Sequence, residues 1–224
     1  MDAGLKLSIV IPALNEAERI EAALQALAPL RRRGCEVIVV DGGSADRTRE
    51  LAAPLCDRIL SSARGRAVQM NAGAHHASGE ALLFLHVDTF LPPDGDFLVG
   101  KALENHLWGR FDVEIEGRRR LLKVVACAMN LRSRLSGIAT GDQAIFVRRD
   151  AFPGFAAIAL MEDIAFSQEM KRRGAPACLR ERVRTSGRRW ERRGVLRTVV
   201  LMWRLRLLYY FGAPPERLAR LYEP

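Results

Sequence analysis

The sequence predicts an α/β fold: a doubly wound, mixed but mainly parallel sheet in a single domain. Three features carry that expectation. Short apolar runs stop abruptly at turn residues, stretches with apolar residues at helical spacing lie between them, and polar residues recur where the runs stop.

Leu7 to Pro12 is near-continuously apolar and closed by proline, the pattern of a strand buried on both faces. Asn15, with Glu18 three residues on, forms a capping-box signature, and Ile20, Ala23, Leu24 and Leu27 then recur at helical spacing. Glu36 to Asp41 is a second buried-type strand, halted by its own carboxylate and by Gly42-Gly43-Ser44. Arg58 to Ser61 reads as a weaker third strand and Val68 to Ala77 as a short helix. Ala81 to His86 is a fourth strand that runs into Val87-Asp88-Thr89. Further on, Phe97 to Asn105, Leu121 to Leu135, Ile164 to Arg173 and Val195 to Phe211 read as helices, and Gly109 to Glu116 and Gln143 to Arg148 as strands. No repeat or linker divides the chain. In sheets of this kind ligands bind beyond the carboxyl ends of the strands, where the strand order reverses. Asn15 with Glu16, then Asp41, then His86 with Asp88 all fall at such ends.

The chain's 224 residues suffice for one domain with a sizeable core. Its net charge of +9 suggests an anionic partner, but the charge is uneven. Residues 171–224 hold 15 basic and 4 acidic side chains, whereas residues 1–170 hold 20 and 22. On a helical projection of the last helix, Arg193, Arg197 and Arg204 share a face, while Leu196, Val199, Met202, Trp203 and Leu207 lie on the rest. That suits an interfacial helix somewhat better than a core-docked or dimer-forming one. Arg206 does not fit, since it falls inside the apolar sector. Aromatic residues are not interleaved with the basic runs and no zinc-finger, RRM or helix-turn-helix signature is present, which argues against nucleic acid. Cys35, Cys56, Cys127 and Cys178 form no metal or disulfide pattern. With no signal-peptide or membrane-spanning pattern, a cytoplasmic location is expected, with peripheral contact on the inner face of the cell membrane if the basic helix meets lipid.

Asp41 and Asp88, at two strand ends, suit a divalent cation held together with an anionic ligand. Each alone is also an ordinary turn residue. Glu162-Asp163 ahead of a helix is either an acid pair favouring the helix N-terminus or a candidate general base. The motifs taken together, Pro12-Ala13-Leu14-Asn15-Glu16, Val39-Val40-Asp41-Gly42-Gly43-Ser44 and Phe84-Leu85-His86-Val87-Asp88, resemble the successive signatures of family-2 glycosyltransferases with the GT-A fold. Arg64-Gly65-Arg66 through Asn71-Ala72-Gly73 resembles that family's basic, Gly-containing segment. His86-Val87-Asp88-Thr89, Thr140-Gly141-Asp142-Gln143 and Met161-Glu162-Asp163-Ile164 resemble more closely a subgroup of short bacterial members described as radical-SAM/selenodomain-associated, some linked to arsenosugar synthesis.

The resemblance implies an inverting, metal-dependent enzyme. It would move a sugar from a nucleotide-diphosphate donor, UDP-linked by preference, to a hydroxyl or carboxyl acceptor, with a lipid or polyprenoid among the candidates. It implies that Pro12, Asn15, Glu16, Asp41, Arg64 and Arg66 bind the donor, and that Asp88 holds Mn²⁺ or Mg²⁺. Asp163 would act as base with Glu162 supporting it, and Asp142, Gln143, Arg189 and Trp190 would line the acceptor or diphosphate side. Residues 1–194 would form the GT-A domain and residues 195–224 a basic amphipathic helix and tail of the same unit. A homo-oligomer is left open. One departure is that His86 stands where the family usually has a first Asp. Imidazole suits manganese better than magnesium, and His86 is open between a metal ligand and a hydrogen-bonded core residue. Two other classes compete: a sugar-phosphate nucleotidyltransferase, and a non-catalytic anionic-surface binding protein on a degenerate transferase fold. The first would carry a Gly-rich loop ending in a basic residue where this chain has Ala13-Leu14-Asn15-Glu16. The second is disfavoured by intact Asp41, Asp88 and Asp163.

Overall fold

A computed structural model describes residues 5–222. Eight strands form one sheet in the order β3-β2-β1-β4-β7-β6-β8-β5. They are β1 (Leu7–Ala13), β2 (Glu36–Asp41), β3 (Arg58–Ser61), β4 (Ala81–Phe84), β5 (Thr89–Phe90), β6 (Trp108–Glu116), β7 (Phe146–Arg148) and β8 (Ala177–Ser186). β1 pairs in parallel with both β2 and β4, β2 with β3, and β6 with β8, whereas β7 runs antiparallel to β4 and β6 and β5 antiparallel to β8. The mixed, mainly parallel doubly wound sheet expected from the sequence is therefore present. The nine helices among the described residues are α1 (Ile20–Arg32), α2 (Thr48–Ala52), α3 (Arg66–His76), α4 (Gly95–Leu103), α5 (Leu121–Ser136), α6 (Glu162–Arg173), α7 (Arg188–Arg193), α8 (Val195–Tyr210) and α9 (Pro215–Tyr222).

Successive strand residues point to opposite faces, so the apolar runs feed two cores. Ile9, Ile11, Val37, Val39 and Leu83 pack with α1, α4 and α5 on one face. Val10, Ile38, Val40, Leu82 and Phe84 pack with α3, α6 and Trp108 on the other. Gly73 lets α3 lie close on the sheet, since a Cβ there would stand 2.3 Å from Val10 Cγ1 and 3.0 Å from Val40 Cγ2. At the amino edge of the sheet, buried Glu36 accepts hydrogen bonds from Ser8 Oγ and from the Ser78 amide at 2.7 Å, and pairs with Arg58 at 3.3 Å. Burial alone would raise the Glu36 pKa. These donors and the Arg58 charge outweigh it and hold the carboxyl below its usual value.

The tail helices are docked. Met161, Ile164, Leu205 and Leu218 form a third small core joining α6, α8 and α9. Of the residues that the helical projection placed on the apolar side of α8, Val199 and Met202 are half-buried, whereas Leu196, Trp203 and Leu207 are exposed. With Val200 they form an outward apolar stripe, and Val124, Leu131 and Leu135 of α5 are exposed as well. No described helix is long and apolar enough to cross a membrane.

The capping box is not formed. The N-cap of α1 is Arg19 with no side-chain cap, and Asn15, at φ 54°, turns its amide elsewhere. β4 ends at Phe84, so that His86 to Asp88 form a turn, and Gln143, expected to open a strand, closes the short 3₁₀ turn Gly141–Gln143, with β7 starting at Phe146.

Candidate active site

At the carboxyl edge, β1 lies between β2 and β4, so the crevice where the strand order reverses opens beyond Ala13, Asp41 and Phe84. Its floor is a clasp between two loops. The Asn15 amide donates to Ser44 Oγ at 2.9 Å and the Ala45 amide to Asn15 Oδ1 at 2.9 Å. The Glu16 amide donates to Thr48 Oγ1 at 2.8 Å and the Ala17 amide to Asp46 Oδ2 at 3.1 Å. Asp41, 2% exposed, turns both carboxylate oxygens onto its own loop, accepting from the amides of Gly43 and Ser44 and from Ser44 Oγ. Pro12 is half-buried beside this floor, Glu16 pairs with Arg19 at 2.6 Å, and Arg64 is exposed on the approach to α3.

Gln69, on α3, escaped the sequence reading. It is buried and donates to the carbonyls of Ala13 at 2.8 Å and Val40 at 2.9 Å, spanning the ends of β1 and β2. A Cβ on Gly42 would meet its amide at 3.0 Å, so this glycine lets the Gln69 side chain lie flat under the turn. The cue in the sequence is one polar residue on the face of α3 that otherwise carries Ala67, Met70, Gly73 and Ala74. Two residues on, Asn71 exchanges two 2.8 Å hydrogen bonds with the backbone of Phe155, holding the loop ahead of α6 over α3.

Opposite this floor, Arg66, Phe84, His86, Gly141, Glu162 and Asp163 line one small crevice. Arg66 reaches Glu162 at 3.3 Å. Burial works against the guanidinium charge, but the carboxylates of Glu162, Asp163 and Asp142 outweigh it and raise the Arg66 pKa. Glu162 is 3% exposed, and its pKa is raised because burial and the neighbouring Asp163 prevail over the attraction of Arg66. Asp163 accepts from the Gly141 amide at 3.0 Å with Oδ2 and from the Ile164 amide at 2.8 Å with Oδ1. It thereby ties the first turn of α6 to the 3₁₀ turn. Asp142 stands 3.4 Å from His86 Nδ1. Burial opposes its ionisation, yet His86, Arg66 and Arg189 hold its pKa below the usual value.

The donor set fits one kind of metal site. Among the described residues no three His, Cys, Asp or Glu side chains converge into a cage. The half-buried Asp88 carboxylate makes no hydrogen bond or ion pair among them, its backbone carbonyl alone accepting from Ser186. One free carboxylate suits a hard cation that completes its shell with diphosphate oxygens and water, not a resident cage. His86 offers little more, because Nδ1 faces Asp142 and its Cε1–Nε2 edge packs so closely on Gly141 that a Cβ there would sit 2.6 Å away.

Three remaining residues fall differently. Gln143 is fully buried, accepts from the Thr140 amide and donates to Asn130, so its amide stabilises the turn from within. Trp190 is half-buried against the main core. Arg189 stacks over the Tyr222 ring at 4.9 Å. Its pKa is lowered by burial and by Arg66, against the pull of Asp142 and Asp88.

The sequence profile of glycosyl transferase family 2 matches residues 8–120. The chain is 42% identical over 82 residues to the succinoglycan biosynthesis protein ExoA of Rhizobium meliloti (strain 1021), covering 30% of this chain and 25% of that protein. It is 32% identical over 123 residues to the uncharacterized glycosyltransferase Rv1514c of Mycobacterium tuberculosis (strain ATCC 25618 / H37Rv), covering 49% and 46%. The chain thus spans half or less of the length of these relatives. Its fold is similar to that of S. aureus TarS 1-349, with a TM-score of 0.65 at 18% identity over 82% of this chain and 61% of that one. It is also similar to glucosyl-3-phosphoglycerate synthase from Mycobacterium tuberculosis in complex with Mn²⁺, UDP and glucosyl-3-phosphoglycerate, with a TM-score of 0.57 at 21% identity over 80% and 71%.

Proposed function

Since the chain belongs to glycosyl transferase family 2, we propose that it transfers a sugar, with inversion, from a nucleotide-diphosphate donor, UDP-linked by preference, to a hydroxyl or carboxyl acceptor. The observation that carries this reading is the Asp88 carboxylate, unpartnered among the described residues and two positions on from His86, which lines the crevice with Arg66, Glu162 and Asp163 at the switch point of a doubly wound sheet.

In this reading the nucleoside rests on the floor made by Pro12, Asn15 and Glu16, with Asp41 shaping the turn beneath it. Arg64, Arg66 and Arg189 supply positive charge to the diphosphate. Asp88 holds Mn²⁺ or Mg²⁺ against that diphosphate. When bound, the cation neutralises the charge that grows on the leaving group as the glycosidic bond breaks. His86 fixes the orientation of Asp142 along the crevice wall.

Inversion requires one group on the opposite side of the sugar to take the acceptor proton as the hydroxyl attacks. Asp163 suits that task better than Glu162. Both line the crevice, but Glu162 is almost wholly buried and engaged by Arg66. Each oxygen of Asp163 accepts one backbone amide and retains a further lone pair for the incoming proton.

The motifs at His86–Thr89, Thr140–Gln143 and Met161–Ile164 support a place in the short bacterial radical-SAM/selenodomain-associated subgroup. The outward stripe of Leu196, Val200, Trp203 and Leu207, next to exposed Arg197 and Arg204, supports a cytoplasmic protein whose residues 195–224 rest on anionic lipid beside a catalytic body of residues 1–194. Co-sedimentation tests that part: preference for phosphatidylglycerol over phosphatidylcholine vesicles, reduced by Trp203→Glu, is expected, and equal partition removes it.

Calorimetric titration with UDP, GDP and CDP in the presence of Mn²⁺ tests the donor assignment. Binding of UDP, followed by metal-dependent UDP release from UDP-sugars, is expected. Absence of binding to all three nucleotides would return the chain to the non-catalytic class.

A further inference from the structure

Behind the first turn of α6, the helices α5, α6 and α8 and the α8–α9 turn border a second cavity of about 690 Å³ that is open to solvent. Its walls include Ile138, Ile164, Tyr209 and Pro214, and into it come two arginines, Arg132 and Arg206. We propose that this cavity seats an anionic group, a carboxylate or phosphate on an apolar body, belonging to the acceptor and held by Arg132 and Arg206. The proposal rests on the glycosyl-transfer reading above and names the chemical class of its acceptor.

The arginines carry the argument. Among the described residues, Arg132 Nε and Nη2 are shut off from solvent and meet no acceptor. Leaving those two nitrogens without an acceptor is a standing cost, which a turn of the half-buried Arg132 side chain towards an anion in the cavity would relieve. Burial, and then the like charge of Arg206, pull the Arg132 pKa down to about 10. Burial pulls that of Arg206 down as well, against Asp163 and Asp142. Asp163 is the one carboxylate acting on both, and its oxygens are already engaged by the amides of Gly141 and Ile164. The protein therefore leaves the pair under-neutralised.

Arg206 also resolves the misfit in the helical projection. It lies at the side of α8 where Tyr209 and Tyr210 also line the cavity.

The position fits an acceptor. The first turn of α6 is a shared wall: Glu162 and Asp163 line the crevice with Arg66 and His86, and Ile164 lines the cavity. An anion seated on Arg132 and Arg206 would place the rest of its molecule beside Asp163. The donor diphosphate has its own cations, Arg66 and Arg189, on the other side of that wall.

The full chain, titrated calorimetrically with hexyl phosphate, hexanoate and hexanol, provides the test, with UDP and Mn²⁺ titrated separately. Both anions are expected to bind at least about tenfold more tightly than hexanol, and Arg206→Gln and Arg132→Gln each to cost about tenfold in anion affinity. Arg206→Lys should stay within about threefold of the parent, since charge is kept and the fork geometry lost. UDP affinity should not change in any variant. Thermal midpoints separate loss of the site from loss of the fold, and if Arg132→Gln does not fold, the two Arg206 variants carry the comparison. Displacement of hexyl phosphate by phosphatidylglycerol but not phosphatidylcholine vesicles assigns the anion to a lipid headgroup. Displacement by neither assigns it to a free small molecule, and both results uphold the cavity. No preference for the anions over hexanol, or undiminished anion binding by Arg206→Gln, overturns it. If anions bind and UDP does not, the donor reading fails instead.

Discussion

The carboxylate of Asp163 accepts a hydrogen bond from the Gly141 amide at 3.0 Å. One side chain therefore both fixes the turn that carries Asp142 and faces the crevice as the candidate base. Replacing it should be felt twice. Asp163→Ala is expected to lower the rate of UDP release by a factor of about 10² to 10⁴ and the unfolding free energy by about 1 kcal/mol through the lost amide acceptor. Asp163→Asn, which keeps one of the two acceptor oxygens, should recover part of the stability and none of the rate. Urea unfolding beside a UDP-release assay separates the two, and an active Asp163→Asn enzyme would remove Asp163 from the base role.

Asp88 is the contrasting case. With no hydrogen bond or ion pair among the described residues to lose, Asp88→Asn should leave the thermal midpoint nearly unchanged. It should abolish the Mn²⁺-dependent part of UDP affinity and the transfer reaction. Calorimetric titration of UDP with and without Mn²⁺ reads this directly, and a metal effect that persists in the variant would move the cation elsewhere.

Gln69 bridges the carbonyls of Ala13 and Val40 from inside the core. Gln69→Ala leaves Val40 O without that donor and opens a cavity under Gly42, so a loss of about 1 to 3 kcal/mol is expected by chemical denaturation. A weaker UDP affinity should accompany it, because the Gly42–Ser44 turn rests on this side chain. A variant of parental stability would show that the bridge is dispensable.

The amino edge of the sheet gives a pH dependence. The folded-state pKa of Glu36 lies below its unfolded value, so its contribution is fully present above about pH 4.3 and is lost as the pH falls through the folded-state value. Glu162, raised by burial, has the opposite sign, and its ionisation costs stability as the pH rises through its folded-state value. The difference in melting temperature between the parent and Glu36→Gln should therefore shrink below about pH 4.3 and stay level above it. A difference that does not change on acidification would dissociate Glu36 from the effect.

The sheet's centre was legible because buried parallel strands write themselves as apolar runs: β1, β2 and β4 stand where Leu7–Pro12, Glu36–Asp41 and Ala81–His86 do. β8 was not, since Arg180, Glu181, Arg182 and Arg184 dominate it and Val183 and Thr185 are the residues that its outer half turns inward. Asn15 and Glu18 have the spacing of a capping box, but a tertiary partner, the Ala45 amide, outcompetes the local one. The motifs located Asp163, Glu162, Arg66 and Asp142 in one crevice region, while Gln69 showed only as a polar residue at a core position and the inward turn of Gln143 depended on packing.

The clasp between residues 15–17 and 44–48 is made wholly of protein atoms: two side-chain hydroxyls, a carboxylate, an amide and four backbone N–H groups. The entropy of ordering those loops is therefore spent when the chain folds, not when a nucleotide arrives. Such a floor favours rapid capture without loop closure. It also makes the stretch fragile in a particular way: a one-residue insertion between Leu14 and Ala17 would put all four hydrogen bonds out of register at once. The floor would then be lost as a unit, with the strands on either side still paired.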